Sequence, residues 1–250
     1  MRGILAWGTR ARFIVVLSAA LALFAGVGPL PHTPVDTAQA DHSPQGFQSE
    51  FNIRRQYLTD MGESPYFVLK PGFRIVLRGP GERVVITVLD RTRMINGMRT
   101  RVVEERSIQD GELHELALNY FVMDRHTRDV FYCGEDVSFF HPGGPTTHNG
   151  SWLAVPPNRC GLFMPGDPER GMKFYNEWAP GVAQDRSEVL STRERVSTRA
   201  GTFRNCVRII ETSPIDPDVL GEKTFCRGVG ITVDGDLRLW SYGYGERGDD

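Results

Sequence analysis

The hydrophobic pattern of the chain changes character twice. An apolar run over residues 13 to 25 follows Arg2, Arg10 and Arg12 and is broken by Gly26, Gly28, Pro29 and Pro31. From Tyr66 onward, segments rich in Val, Ile, Thr, Phe and Tyr are punctuated by Gly, Pro and Asn-Gly, the signature of strands and tight turns. Between these regions, residues 41 to 48 are polar and aperiodic. Residues 49 to 61 place Phe51, Ile53, Tyr57 and Leu58 at roughly helical spacing and predict one short helix.

The clearest strand pair runs over 82 to 91 and returns over 98 to 106, around an Asn96-Gly97 dipeptide suited to the two positive-φ positions of a type I′ turn. Further strands are predicted at 73 to 78, 113 to 123, 129 to 133, 172 to 178, 186 to 197, 203 to 211, 223 to 227 and 237 to 242. They follow one another through short turns, without the dozen-residue crossovers that parallel neighbours need. In 84 to 89 and 116 to 123 both alternate sets are largely apolar, so those strands are covered on both sides. In 172 to 178, Met172, Phe174 and Trp178 alternate with Lys173, Tyr175 and Glu177, which predicts one wet face. The expected fold is mainly β: an antiparallel meander forming a strongly curved or barrel-like sheet, with at most one short N-terminal helix. Residues 65 to 244 read as a single β domain, 41 to 64 as its lead-in and 245 to 250 as a tail. The Gly- and Pro-rich segment 134 to 171 is predicted to be the least regular part.

The N-terminal run ends in Ala38-Gln39-Ala40, a small-x-small cleavage pattern, so residues 1 to 40 read as a signal peptide cleaved after Ala40. That implies a periplasmic or secreted protein with no stable membrane span after cleavage. A retained anchor is the competing reading, because residues 13 to 30 approach the roughly 20 needed to span a bilayer; the Gly and Pro interruptions favour cleavage. Losing the leader takes three Arg and one Asp from 29 basic and 31 acidic side chains, moving the formal net charge from -2 to -4. A nucleic-acid partner, which calls for a basic surface, is not expected.

All four cysteines, Cys133, Cys160, Cys206 and Cys226, follow the leader and predict two disulfides in an oxidising compartment. Cys206 and Cys226 flank a loop almost symmetrically, which favours their pairing and leaves Cys133 with Cys160. Four cysteines nevertheless allow three connectivities, and sequence does not choose among them.

Two groups of residues are candidates for chemistry. Glu104, Glu135, Asp136, Glu177 and Asp185 lie in or beside predicted strands, and converging carboxylates bind hard cations or act as the acid and base of a glycoside hydrolase. The alternative is that they pair with the abundant arginines on wet faces. Tyr132, Trp152, Tyr175 and Trp178 are placed to line a pocket for a small hydrophobic or carbohydrate ligand, or else to pack the core. There is no His-Glu-x-x-His, Cys-x-x-Cys or Gly-x-Ser-x-Gly, so no metal ligand set and no cofactor is assigned. The leading expectation is a non-catalytic exported binding module; a carboxylate-based hydrolase or cation-binding protein and a purely structural secreted protein are the alternatives.

Several phrases carry a resemblance: Tyr66-Phe67-Val68-Leu69-Lys70-Pro71-Gly72, Gly134-Glu135-Asp136-Val137, Gly150-Ser151-Trp152, Met164-Pro165-Gly166, Ala179-Pro180-Gly181 and Ala200-Gly201-Thr202-Phe203. Together, over most of residues 65 to 234, they resemble a family of secreted bacterial β-rich proteins of uncharacterised function. The family's usual Ala-Pro-Gly-Val-Gly is replaced here by Cys226-Arg227-Gly228-Val229-Gly230, which fits a member that has gained disulfides. More distantly, Ala-Gly-Thr-Phe with a later Gly-Val-Gly is similar to curved-sheet envelope proteins of the lipoprotein-carrier type. That similarity implies a fold and no function.

Overall fold

A computed structural model describes residues 46–245. The leader, its cleavage after Ala40 and the end of the tail lie outside the described residues. Three short strands lead in: β1 (Leu58–Thr59), β2 (Gly62–Ser64) and β3 (Phe67–Leu69). The long meander follows with β4 (Phe73–Gly79), β5 (Glu82–Ile95), β6 (Met98–Gln109), β7 (Glu112–Asp124) and β8 (Val130–Phe139). After it come β9 (Trp152–Leu153), β10 (Arg159–Met164), β11 (Lys173–Tyr175) and β12 (Glu177–Trp178). The last five are β13 (Arg186–Thr198), β14 (Gly201–Thr212), β15 (Leu220–Cys226), β16 (Gly230–Asp234) and β17 (Leu237–Tyr244).

The main sheet runs β11-β13-β14-β15-β16-β17-β4-β5-β6-β7-β8-β10-β12, with every pair antiparallel. Its two terminal strands, β11 and β12, are separated in sequence only by Asn176. One extended segment therefore bonds to β13 through its first half and to β10 through its second, and this closes the sheet into a barrel. Closure removes the exposed edges that an open antiparallel sheet leaves.

Asn176 is the clasp of that seam. Its amide Nδ2 donates to the carbonyls of Leu162 and Phe163 on β10, at 3.3 and 3.4 Å, and its Oδ1 accepts from Ser187 Oγ on β13 at 2.7 Å. Gly161 makes the close approach possible, because a Cβ there would collide with the Asn176 backbone. The Asn96-Gly97 turn forms as read, with φ of 45° and 75°.

Both disulfides join neighbouring strands: Cys133 on β8 to Cys160 on β10, and Cys206 on β14 to Cys226 on β15, with S–S distances of 2.06 and 2.08 Å. This pairing suits an oxidising, extracytoplasmic environment. Among the described residues no helix is long and apolar enough to cross a membrane. The Cys206–Cys226 bridge spans a sequence separation of 20. Loop-closure entropy for such a span is about 3 kcal/mol, so a double Cys206→Ala/Cys226→Ala variant is expected to melt about 10 °C lower by calorimetry. An unchanged transition would show that the bridge contributes nothing.

Three expectations about local structure change. The helix expected over 49 to 61 is replaced by a 3-10 turn, Arg55–Tyr57, and by β1, which pairs Leu58 with Asp124 and Thr59 with Met123 on β7. A short isolated helix is marginal, whereas the extended segment gains ladder bonds and packs Phe51, Ile53 and Leu58 against the core. Asp60 then anchors this lead-in through Arg101, a buried pair at 2.6 Å. The segment 134 to 171, expected to be irregular, holds most of β8 together with β9 and β10. The wet face expected over 172 to 178 is absent, since Tyr175 and Glu177 are fully buried; the alternation does not run through Asn176, where the chain changes partner strands.

Candidate binding cavity

The alternation of strand residues sends every second side chain into the barrel. Phe73, Ile75 and Leu77 of β4, Val84, Ile86 and Val88 of β5, Phe121 of β7 and Phe225 of β15 point at a common interior, joined by Phe67 and Phe163. These side chains do not fill it. About 730 Å³ of atom-free space remains, including where it opens to solvent, and about 60 Å³ of it admits the centre of a water molecule. The hollow is thus a narrow slot. Phe67, Ile86, Phe163 and Ile231 keep accessible surface inside the barrel for this reason.

One end of the slot is polar. Glu105 of β6, Asn119 of β7, Lys223 of β15 and Asp234 of β16 line it, with Glu105 opposite Ile86 in the ladder and Lys223 opposite Asp234. Lys223 is buried and its Nζ donates to both carboxylate oxygens of Glu211, each at 3.1 Å. Burial opposes that charge, yet Glu211 and Asp234 outweigh it and hold the ammonium above the usual lysine range. Burial first, and Asp234 next, push Glu105 up to about 8, with Lys223 pulling back. Burial likewise pushes Asp234 up to about 7 against the pull of Lys223.

A row of further carboxyl groups continues from this end towards the seam. Glu115 and Glu135 share the inward face of Asn119, Glu115 by strand alternation and Glu135 as its direct ladder partner. Burial and the nearby Glu105 push Glu115 up to about 9. Tyr132 gives its hydroxyl proton to Asn119 Oδ1 at 2.8 Å, and both Glu135 oxygens are left without a hydrogen-bond partner. Burial and Glu115 raise Glu135 well above the carboxylate range. Glu177 accepts from Trp152 Nε1 at 3.1 Å and is raised in the same way, by burial and then by Asp185 and Glu135. Buried carboxyl groups of this kind are held neutral because water no longer stabilises their charge.

Of the five acids singled out in the sequence, the barrel brings together Glu135, Glu177 and Asp185 on electrostatic grounds. Glu104 and Asp136 are one residue out of phase and face outward. Asp136 pairs with Arg93 and accepts from Tyr120 at 2.6 Å; Glu104 lies 3.9 Å from Arg106. Of the four aromatics, Tyr132 and Trp152 face the acid row, while Tyr175 is buried against Trp178, over which Arg159 lies at 4.9 Å. None of the four lines the slot.

The chain matches no family model, no curated protein and no solved structure. The site is therefore interpreted from its own chemistry. Sequence reasoning passed over Glu105, Asn119, Lys223 and Asp234. The signal for two of them was present in the alternate sets Val103, Glu105, Ser107 and Ala117, Asn119, Phe121, where polar residues interrupt a core-facing series. A wider cleft of about 720 Å³ lies outside the barrel between Gln48, Phe51, Asp129 and Phe174. Its acids serve local turns: Asp124 Oδ1 accepts from the amides of His126 and Thr127, and Asp129 Oδ1 from that of Gly166.

Proposed function

We propose that this protein is an exported, non-catalytic binding module that holds a small apolar ligand inside its barrel. The observation that carries the reading is the unfilled slot walled by Ile75, Leu77, Val84, Ile86, Val88 and Phe225, where a close-packed core is the rule. Pockets of this composition, mostly apolar with a few converging polar groups, are typical of small-molecule sites. Its narrowness favours an unbranched alkyl chain over a ring system. The two disulfides and the absence of a membrane-crossing helix among the described residues accord with export.

The carboxylate reading has less support. Glu135 and Glu177 have no solvent exposure, whereas hydrolysis needs an open cleft between its two carboxyl groups. Among the described residues no three His, Cys, Asp or Glu side chains stand close enough to share an ion.

Titration calorimetry and thermal shift with 1-octanol test the proposal. The wild type is expected to bind and to melt higher with the alcohol present, as any ligand of the native state requires. An Ile86→Trp variant, which fills the slot, is expected to lose binding while keeping a cooperative transition. Failure of the wild type to bind, or equal binding by the filled variant, would remove the interior as the site.

A further inference from the structure

We infer that the ligand carries a cationic amine head group, seated at the polar end of the slot by Glu105 and Asp234. This rests on the apolar-ligand reading above and adds the ligand's charge. The carboxyl groups of Glu105 and Asp234 stand on the wall of the hollow and accept no hydrogen bond from any described residue. The single basic residue on that wall, Lys223, directs its two bonds to Glu211. The charged groups that bear on Glu105 from the packed strands are Asp234 of β16, Lys223 of β15, Glu211 of β14, Glu82 of β5 and Glu115 of β7. Acids outnumber the one ammonium, and deeper in the row the unpartnered oxygens of Glu115 and Glu135 add to the excess.

Such an environment discriminates by charge. An anionic head would meet like charges in a medium that screens them poorly, and like-charge juxtaposition is a strong rejecting device. A neutral hydroxyl finds acceptors but forms only ordinary hydrogen bonds. An ammonium has donors and no acceptor, which complements ionised carboxylates that only accept, and such charge-assisted bonds are roughly twice as strong as neutral ones. A small bare cation is a poorer fit, because it demands six or more oxygen ligands and the acids here do not converge on one point. An alkylamine combines the two chemistries in the order the slot presents them: Glu105 sits opposite Ile86, where the polar end meets the apolar wall.

A matched eight-carbon series decides the matter: n-octylamine, 1-octanol and octanoate, titrated calorimetrically at pH 7.5 into the wild type and into Glu105→Gln, whose near-isosteric amide removes the charge. The wild type is expected to prefer octylamine to octanol at least tenfold and to reject octanoate. In Glu105→Gln the ratio of amine to alcohol affinity is expected to fall about tenfold. Should octanol bind but octylamine bind no better, the charge assignment is wrong and the apolar site stands. An amine preference that persists in Glu105→Gln would overturn the role of that residue. If none of the three ligands binds, the apolar site itself fails and the head-group assignment with it.

Discussion

The protein is expected to lose stability steadily as pH rises from about 5 to 9, with a melting temperature far higher in mild acid than in mild base. Glu105 and Glu115 are held up to about 8 and about 9 in the folded chain, against 4.5 as the ordinary value. A carboxyl group whose folded pKa is raised binds its proton more tightly in the native state. Its contribution is therefore complete below pH 4.5 and is lost as pH climbs through 8 for Glu105 and 9 for Glu115. In that window each group removes about 1.4 kcal/mol per pH unit. Asp234 acts in the same direction between 3.8 and about 7. The groups are coupled, so their losses do not simply add, but several kcal/mol separate the two ends of the range. This reverses the usual behaviour of salt-bridged carboxylates, which favour the native state above their pKa. Thermal denaturation in buffers from pH 5 to 9 measures it directly. A flat or rising profile would mean that the interior acids are solvated after all. Glu115→Gln, whose side chain is sealed in the wall, is expected to flatten the upper part of the profile and to melt higher than the wild type at pH 9.

How much of this was legible in the sequence depends on which rule each residue obeys. The Asn96-Gly97 turn, the antiparallel order and the disulfide partners follow from local signals: a dipeptide with a known turn preference, short connections and symmetric flanking of a loop. The closed barrel was legible as curvature, because strands apolar on both alternate faces need cover on both sides. The site was hidden by that same feature. Val102 and Val103 are both buried, so hydrophobicity does not say whether Glu104 or Glu105 points inward. Register shifts compound the difficulty: β7 and β8 slip between Asn119 and Phe121, and β5 and β6 between Val88 and Thr92. Each slip reverses the face of everything beyond it. Charged residues are almost never buried without a partner, and reading acids as surface groups was the natural inference; the interior of this barrel departs from that rule at Glu105, Glu115 and Glu135 together. A closed hollow with a ligand-shaped charge deficit is one physical reason for a fold to tolerate such a departure.

That reasoning makes Lys223 the most consequential single side chain in the wall. It is the counter-charge to Glu211 in a region otherwise dominated by acids, both partners being almost fully buried at 5% and 2% side-chain exposure. Removing one member of a buried pair leaves the other desolvated and uncompensated, a loss of about 3–5 kcal/mol, whereas replacing both by apolar groups of similar size is often neutral or stabilising. Lys223→Met is therefore expected to melt roughly 10 °C lower than the wild type at pH 8, and Lys223→Met/Glu211→Met to recover most of that loss. Equal losses in the single and double variants would show that the pair has no mutual dependence. Because Lys223 lines the slot, its removal also vacates space beside Asp234 and Glu105 and takes away the only positive charge there. A cation-bearing amphiphile would then supply the missing charge from outside the chain, so n-octylamine is expected to raise the melting temperature of Lys223→Met by more than it raises that of the wild type, while 1-octanol does not. If octylamine instead stabilises both proteins equally, the ammonium of Lys223 and the head group of the ligand do not answer to the same carboxylates, and the polar end of the slot is a structural charge cluster alone.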